Sequence, residues 1–247
     1  MNIEGISEDI FKCDDYFVAY FDVLGTKASL KSNEKETLQK LWLVNNLINT
    51  LRYENKDITI RAFSDNYLFA IKVDDKNPDK SLNTLFNAAA SFAIQCLSIY
   101  ELLIRGAIVR GPLHIDANTI IGESLIKAYE LENRVAVYPR VIIADGVINN
   151  MNVAELPIRN LKSPYFKDYD SCLCVNPLFF FNEKIRHAMK GRLANNIINS
   201  AMSAYKINDA HSIMKVEWTI NYVNDFYLQH YGTRFIAISK DAFKKAD

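Results

Sequence analysis

Two aspartates lie in sequence contexts that suit catalytic chemistry. Asp22 interrupts the otherwise apolar run Tyr16–Leu24, just before Gly25, and Asp65 lies between two short apolar segments. Burying an ionised carboxylate without a partner costs several kcal/mol. If the strands that carry them are neighbours in one sheet, the two carboxylates meet at one edge. A divalent cation would relieve their repulsion, and hard oxygen ligands favour Mg²⁺ or Mn²⁺.

The turn after Asp22 adds a second chemical feature. Asp22-Val23-Leu24-Gly25-Thr26 is a glycine-containing turn that leads toward a helix, and such turns expose backbone N–H groups to phosphate oxygens. Together with the carboxylates, this turn predicts a site for a metal-bound triphosphate. The structural alternative is that Asp22 merely ends a strand and Asp65 merely occupies a turn, because aspartate is common in turns.

The hydrophobic pattern predicts the elements that would position these groups. Apolar runs and turn residues indicate strands over 16–24, 57–63, 66–72, 102–109, 113–115 and 140–144, and helices over 35–51, 81–100 and 122–133. We expect Ser81 to cap its helix and Gly111-Pro112 to form a hairpin turn. The order predicts an α+β fold with a ferredoxin-like βαββαβ core.

The weaker pattern in the last part of the chain indicates helices rather than a separate domain. Helical spacing continues over about 182–228 after a break at Asn176-Pro177. We therefore predict a catalytic core over residues 14–176 and a C-terminal helical extension over 177–247, packed on that core.

Composition excludes several classes of function. The 247 residues include 29 Lys and Arg against 29 Asp and Glu, which excludes a basic domain for DNA, RNA or an anionic membrane but not a local basic groove. With 49% hydrophobic residues it can build a core, and no apolar run is long enough to suggest a membrane span. No signal peptide is evident in the first residues. The four cysteines and four histidines have no zinc-like spacing. We expect a reduced, cytoplasmic protein.

Several short motifs, taken in order, resemble a known family. Phe21-Asp22-Val23-Leu24-Gly25, then Ser64-Asp65, then Arg105-Gly106-Ala107-Ile108 are similar to class III nucleotidyl cyclases. The resemblance narrows to the pyrimidine cyclases of bacterial Pycsar anti-phage systems. The motifs that carry this closer likeness are Phe63-Ser64-Asp65, Gly122–Glu132 (GESLIKAYELE), Tyr138-Pro139-Arg140 and Lys215-Val216-Glu217-Trp218.

The resemblance implies a particular site and reaction. Asp22, Asp65 and the backbone carbonyl of Val23 would hold two Mg²⁺ or Mn²⁺ ions at the interface of a homodimer. The ribose 3′-hydroxyl of a nucleoside triphosphate would attack the α-phosphorus, giving a 3′,5′-cyclic nucleotide and pyrophosphate. In a Pycsar system that product is a second messenger, which diffuses to a separate effector protein.

Departures from adenylate cyclases indicate the base. Arg61 stands where those enzymes have a lysine, and Thr119 where they have an aspartate. A guanidinium and a hydroxyl offer donors that suit the carbonyl oxygens of a pyrimidine, so the resemblance favours UTP, then CTP, over ATP. Phe21, Gly25 and Thr26 are the other substrate-binding candidates, although the family has an aromatic residue at the position of Thr26.

The family's transition-state residues are missing. Its asparagine and arginine correspond here to Ile126 and Glu130, so another cation must stabilise the developing charge. Arg105 is our candidate, because it interrupts an apolar strand; Arg110, Arg134 and Arg140 are alternatives. The same loss motivates a second hypothesis, a catalytically silent cyclase-like module that binds nucleotide as a sensor.

Overall fold

The computed structural model describes residues 12–149, 151–180 and 183–236, with the side chains of 183–189 left out. The strands are β1 (Asp14–Val23), β2 (Ile58–Phe63), β3 (Asn66–Lys72), β4 (Ile104–Ile115), β5 (Ile120–Ile121), β6 (Val141–Ile143), β7 (Tyr165–Lys167) and β8 (Leu173–Val175). The α-helices are α1 (Thr26–Ser32), α2 (Glu34–Glu54), α3 (Pro78–Tyr100), α4 (Glu123–Arg134), α5 (Glu183–Ile207) and α6 (Ala210–Tyr231).

One sheet organises the core. Its strand order is β2-β3-β1-β4-β6-β8-β7, and β5 pairs with β4 beside this path. β1 lies between β3 and β4 and is antiparallel to both, which explains why its sequence is apolar on both faces. The order of the first four long strands, with helices after β1 and after β3, is the ferredoxin-like βαββαβ arrangement. The α+β prediction is confirmed.

Helices cover both faces of β1. The rings of Phe21 on β1 and Phe69 on β3 pack against Phe92 of α3, with ring centroids 5.2 and 5.3 Å from it. Alternation along the strand turns Tyr20 to the opposite face, where its ring meets Tyr129 of α4 edge-on at 5.8 Å. Asp22 shares the face of Tyr20, so α4 covers the side of the sheet that carries the candidate site.

The helix α3 is the most apolar in the described part of the chain. By length and composition alone it could cross a membrane, but more than half of its apolar stretch is buried inside the protein. It packs against the sheet through residues such as Leu85, Ala89 and Phe92. Its environment is therefore that of a core helix.

Two predicted boundaries are wrong. Asn77, rather than Ser81, caps α3: its side chain accepts the N–H of Lys80, while Ser81 lies inside the helix and its hydroxyl accepts the N–H of Asp74. The predicted hairpin at Gly111-Pro112 is instead one continuous strand, β4.

The chain reverses a few residues beyond that proline. The carboxylate of Asp116 accepts the N–H groups of Asn118 and Thr119, both at 2.7 Å, and this Asx-type turn leads into β5. Aspartate thus supplies the turn that the Gly-Pro pair was expected to make.

The C-terminal helices α5 and α6 pack on the core. The side-chain amide of Asn196 in α5 donates to the carbonyl of Leu97 in α3, at 3.0 Å. Tyr222 of α6 donates its hydroxyl to the buried side chain of Asn176, at 2.7 Å. The predicted break at Asn176-Pro177 precedes both helices. The division into 14–176 and 177–247 remains a prediction, and residues 237–247 lie outside the described part.

Candidate active site

The sheet brings the two aspartate motifs together. Asp22 lies at the end of β1, opposite Asn66 of β3 on one side and opposite Arg105 of β4 on the other. The backbone N–H of Val23 donates to the carbonyl of Asp65 at 3.1 Å, across the turn between β2 and β3. Residues far apart in sequence therefore form one edge of the sheet, as the sequence pattern predicts.

The electrostatic environment of Asp22 is unusual for a carboxylate. Burial raises its pKa, the neighbouring Arg105 opposes this shift, and the negative charge of Asp65 adds to it. One oxygen of Asp65 accepts the Ser64 hydroxyl at 3.0 Å and the amide of Asn66 at 3.3 Å. A cation bound between these two carboxylates would relieve their repulsion at this partly buried edge.

Arg105 lies between two carboxylates at this edge of the sheet. Its Nε is 3.2 Å from Oδ2 of Asp22 and 2.6 Å from Oε1 of Glu132 in α4. The side chain of Glu132 is 3% exposed, and burial raises its pKa from 4.5 to about 7, against the attraction of Arg105. The sequence pattern did not assign Glu132 to the site. The signal that could have identified it is a glutamate near the end of the amphipathic helix α4.

Lys215 is the second residue that the sequence did not assign to the site. Its ammonium group interacts electrostatically with Asp22 and Arg105, and burial together with Arg105 lowers its pKa. The next residue, Val216, shares an apolar cluster with Leu103, just before β4. The feature of the sequence that could have identified Lys215 is a lysine within the apolar spacing of α6, where only helix packing was expected.

Tyr20 completes the wall of the site. Its hydroxyl donates to the side-chain oxygen of Asn66 at 2.8 Å, and burial with the nearby charges of Glu132 and Asp22 raises its pKa to about 12. It is therefore a neutral hydrogen-bond donor at physiological pH, and it fixes the side chain of Asn66 beside Asp22.

The turn after Asp22 contains three of the candidate residues. Gly25 has a left-handed φ of +82°, which favours glycine there, and it precedes α1. The hydroxyl of Thr26 donates to the carbonyl of Val23 at 2.9 Å, so the predicted carbonyl ligand already accepts one hydrogen bond. The side chain of Phe21 is buried in the α3-facing core, so only its backbone faces the edge.

The two candidates for base recognition meet at another turn. Arg61 donates from Nη2 to the carbonyl of Asp116 at 3.2 Å, and Thr119 closes the same turn through the Asp116 carboxylate. Ile126 and Glu130 are exposed on α4. They supply neither an amide nor a cation at the two positions that the resemblance to class III cyclases aligns with an asparagine and an arginine.

A second cluster of charged and aromatic groups connects α6 to the segments around β6 and β7. Asp168 accepts hydrogen bonds from Arg140, Arg159 and Trp218, at 2.6, 2.6 and 2.9 Å, all of them buried. The Trp218 ring stacks on Tyr222 at 5.4 Å. The aromatic side chains of α6 thus form a buried helix face.

The donor set fits Mg²⁺ or Mn²⁺. Each carboxylate uses one oxygen in the bonds described above, and the Val23 carbonyl adds a third hard oxygen. Across the described residues, no group of three or more His, Cys, Asp or Glu side chains could hold a metal alone. Mg²⁺ commonly binds through one or two carboxylates together with substrate phosphates and water, which is what this edge offers.

The similarity of this chain to known proteins concerns the fold alone. No protein-family model matches the chain, and no curated protein matches its sequence. Similar solved structures include the dimeric guanylyl cyclase domain of a fusion protein from the aquatic fungus Blastocladiella emersonii, at 16% identity and a TM-score of 0.45. That match covers 54% of this chain and 81% of the fungal one.

Two bacterial structures are similar as well. An adenylyl cyclase from P. aeruginosa matches at 16% identity and a TM-score of 0.46, covering 55% of this chain and 79% of that one. A bacterial light-regulated adenylyl cyclase matches at 9% identity and a TM-score of 0.48, covering 75% and 99%. At these values, the activity of this chain has to be argued from its own residues.

Proposed function

We propose that the chain is a class III-type nucleotidyl cyclase that forms a 3′,5′-cyclic nucleotide and pyrophosphate from a nucleoside triphosphate. The observation that carries this proposal is the shared sheet edge, where the hydrogen bond from Val23 to Asp65 holds the two aspartates together. A structural role alone does not account for two mutually repelling carboxylates beside a half-buried arginine and lysine.

Each residue has a defined task in this reaction. Asp22, Asp65 and the Val23 carbonyl would hold two Mg²⁺ or Mn²⁺ ions. When bound, these cations would lower the pKa of the ribose 3′-hydroxyl and neutralise the triphosphate. Arg105 contacts the site through Nε, and within the described residues its two terminal nitrogens make no hydrogen bond, so they would bind phosphate oxygens as the charge develops. Lys215 adds a second positive charge from α6.

The proposed substrate is UTP, with CTP next. Arg61 and Thr119 converge on the turn at Asp116, and both are donors that suit a pyrimidine carbonyl oxygen. In this proposal the cyclic UMP or cyclic CMP is a cytoplasmic second messenger in anti-phage defence and activates a separate effector protein. That part rests on the sequence resemblance to Pycsar cyclases.

A homodimer is part of the proposal. The exposed side of α4 carries Ile126 and Tyr129, and Phe63 and Ile121 are exposed on β2 and β5. Covering large apolar side chains of this kind is the usual role of a subunit interface. A second copy there would also bring new groups to the substrate.

The test is incubation of the purified protein with each of the four nucleoside triphosphates, with Mn²⁺ or with Mg²⁺. Chromatography should show a cyclic nucleotide and an equal amount of pyrophosphate, with UTP turned over fastest. Product from purine nucleotides alone would overturn the assignment of Arg61 and Thr119. No product from any nucleotide, together with measurable nucleotide binding, would favour the silent sensor module instead.

A further inference from the structure

Arg105 is in contact with two carboxylates but donates its Nε hydrogen to only one. That hydrogen bond goes to Oδ2 of Asp22, at 3.2 Å. Oε1 of Glu132 is nearer, at 2.6 Å from the same nitrogen, yet it accepts no hydrogen bond from any residue in the described part of the chain. The arginine therefore lies between a carboxylate that it hydrogen-bonds and one that it only neutralises.

A buried carboxylate oxygen without a donor is costly, so Glu132 needs an explanation. Leaving a buried acceptor unsatisfied costs free energy, and the cost is larger for a charged group. Glu132 is buried and comes from α4, which packs across β1 and β4. A modest rotation of the guanidinium would turn the N–H away from Asp22 and toward this oxygen.

The same carboxylate of Asp22 is a proposed cation ligand. A guanidinium and a divalent cation on one carboxylate repel each other, so the bond from Arg105 to Asp22 competes with metal binding. We propose that Glu132 is a positioning residue: it takes over the N–H of Arg105 when a divalent cation binds Asp22, and so keeps the arginine in the site. This rests on the metal-binding part of the proposed function.

The exchange can be measured by metal binding alone. The proteins are the full chain, Glu132→Gln, Arg105→Met and the double variant, and free Mn²⁺ is followed by electron paramagnetic resonance. We expect Glu132→Gln to raise the Kd for Mn²⁺ about tenfold when Arg105 is present, and by less than about twofold in the Arg105→Met background. Glu54→Gln, exposed at the end of α2, is the control and should leave the Kd unchanged.

A second measurement follows the arginine itself. The ¹⁵Nε resonance of Arg105, assigned by its loss in Arg105→Met, should shift when Mg²⁺ is added and stay protected from exchange with water. In Glu132→Gln the same resonance should be less protected once Mg²⁺ is bound, because a neutral amide oxygen is a weaker acceptor than a carboxylate.

The inference would be overturned if Glu132→Gln raised the Kd for Mn²⁺ equally with and without Arg105. It would also be overturned if the Arg105 ¹⁵Nε resonance did not shift on adding Mg²⁺, or if the wild-type chain bound no Mn²⁺. A chain that makes no cyclic nucleotide but shows the dependence on Arg105 would refute the proposed function while supporting the exchange. An active cyclase whose Kd for Mn²⁺ shows no dependence on Arg105 would support the proposed function and refute the exchange.

Discussion

The backbone N–H of Val23 donates to the backbone carbonyl of Asp65 at 3.1 Å, so the turn between β2 and β3 is attached to the end of β1. Main-chain bonding rather than side-chain contact fixes the spacing of the two carboxylates. This arrangement lets each aspartate be replaced without removing the bond that holds the edge together, so the role of the side chains can be tested separately from the fold.

Replacing either aspartate by alanine should abolish turnover, because each would remove a cation ligand. Asp22→Ala and Asp65→Ala should keep a native circular dichroism spectrum, since their side chains lie at a strand end and in a turn. Asp75→Ala, in an exposed turn, is the control. Activity close to wild type in Asp22→Ala or Asp65→Ala would refute the metal assignment.

Arg105→Met should lower kcat by roughly 10²–10³-fold with little change in KM, because a donor to the developing charge matters most in the transition state. Arg105→Lys should recover only part of this loss, since an ammonium cannot present two parallel N–H groups to phosphate. Steady-state kinetics with UTP measure both. An unchanged kcat in Arg105→Met would rule out a direct role.

Lys215→Met should weaken catalysis although α6 lies outside the predicted catalytic core. Its positive charge interacts with Asp22 and Arg105, whereas Lys206 is exposed near the end of α5. We therefore expect a loss of kcat/KM in Lys215→Met and none in Lys206→Met. Equal behaviour of the two variants would show that Lys215 is a structural residue only.

Asp168→Ala should destabilise the fold by about 3–5 kcal/mol, because it would leave two buried arginines without their shared partner. Urea denaturation measures the change, with Lys72→Met as the control. Lys72 pairs with Asp14 at the surface, so its loss should hardly move the midpoint. A small effect of Asp168→Ala would mean that the arginines find other acceptors.

The raised pKa of Glu132 gives stability a pH dependence of known sign. Between pH 4.5 and about 7 the native state holds a proton that the unfolded chain has released, so this group makes stability fall as pH rises through that window. Arg105, Asp22 and Tyr20 are the charged and titratable groups that face it. Glu132→Gln removes the term, so its stability relative to wild type should increase from pH 4.5 to 7, as measured by urea midpoints.

The sequence by itself determined the strands β1, β2, β3 and β6, the helices α2, α3 and α4, and the pair of aspartates, but it did not predict α1, β5, β7 or β8. An acidic residue inside an apolar strand is informative because burying its charge is costly, and that cost does not depend on the rest of the fold. The apolar run of β1 likewise predicted a central strand, since both of its faces had to be buried. Local turn chemistry was less decisive: Asn77 and Asp116 formed the cap and the turn that Ser81 and Gly111-Pro112 were expected to form.

Only the tertiary structure decided which charges surround Asp22. Glu132 and Lys215 come from α4 and α6, and no local spacing relates either of them to a strand end. Helical periodicity says that one face of a helix is buried, but not which strand lies beneath it. Phe21 was a substrate-binding candidate, but its side chain lies in the core, because alternation along the strand turns it away from the face of Asp22. Contacts between distant segments depend on how helices pack across the sheet, which is decided by the whole core.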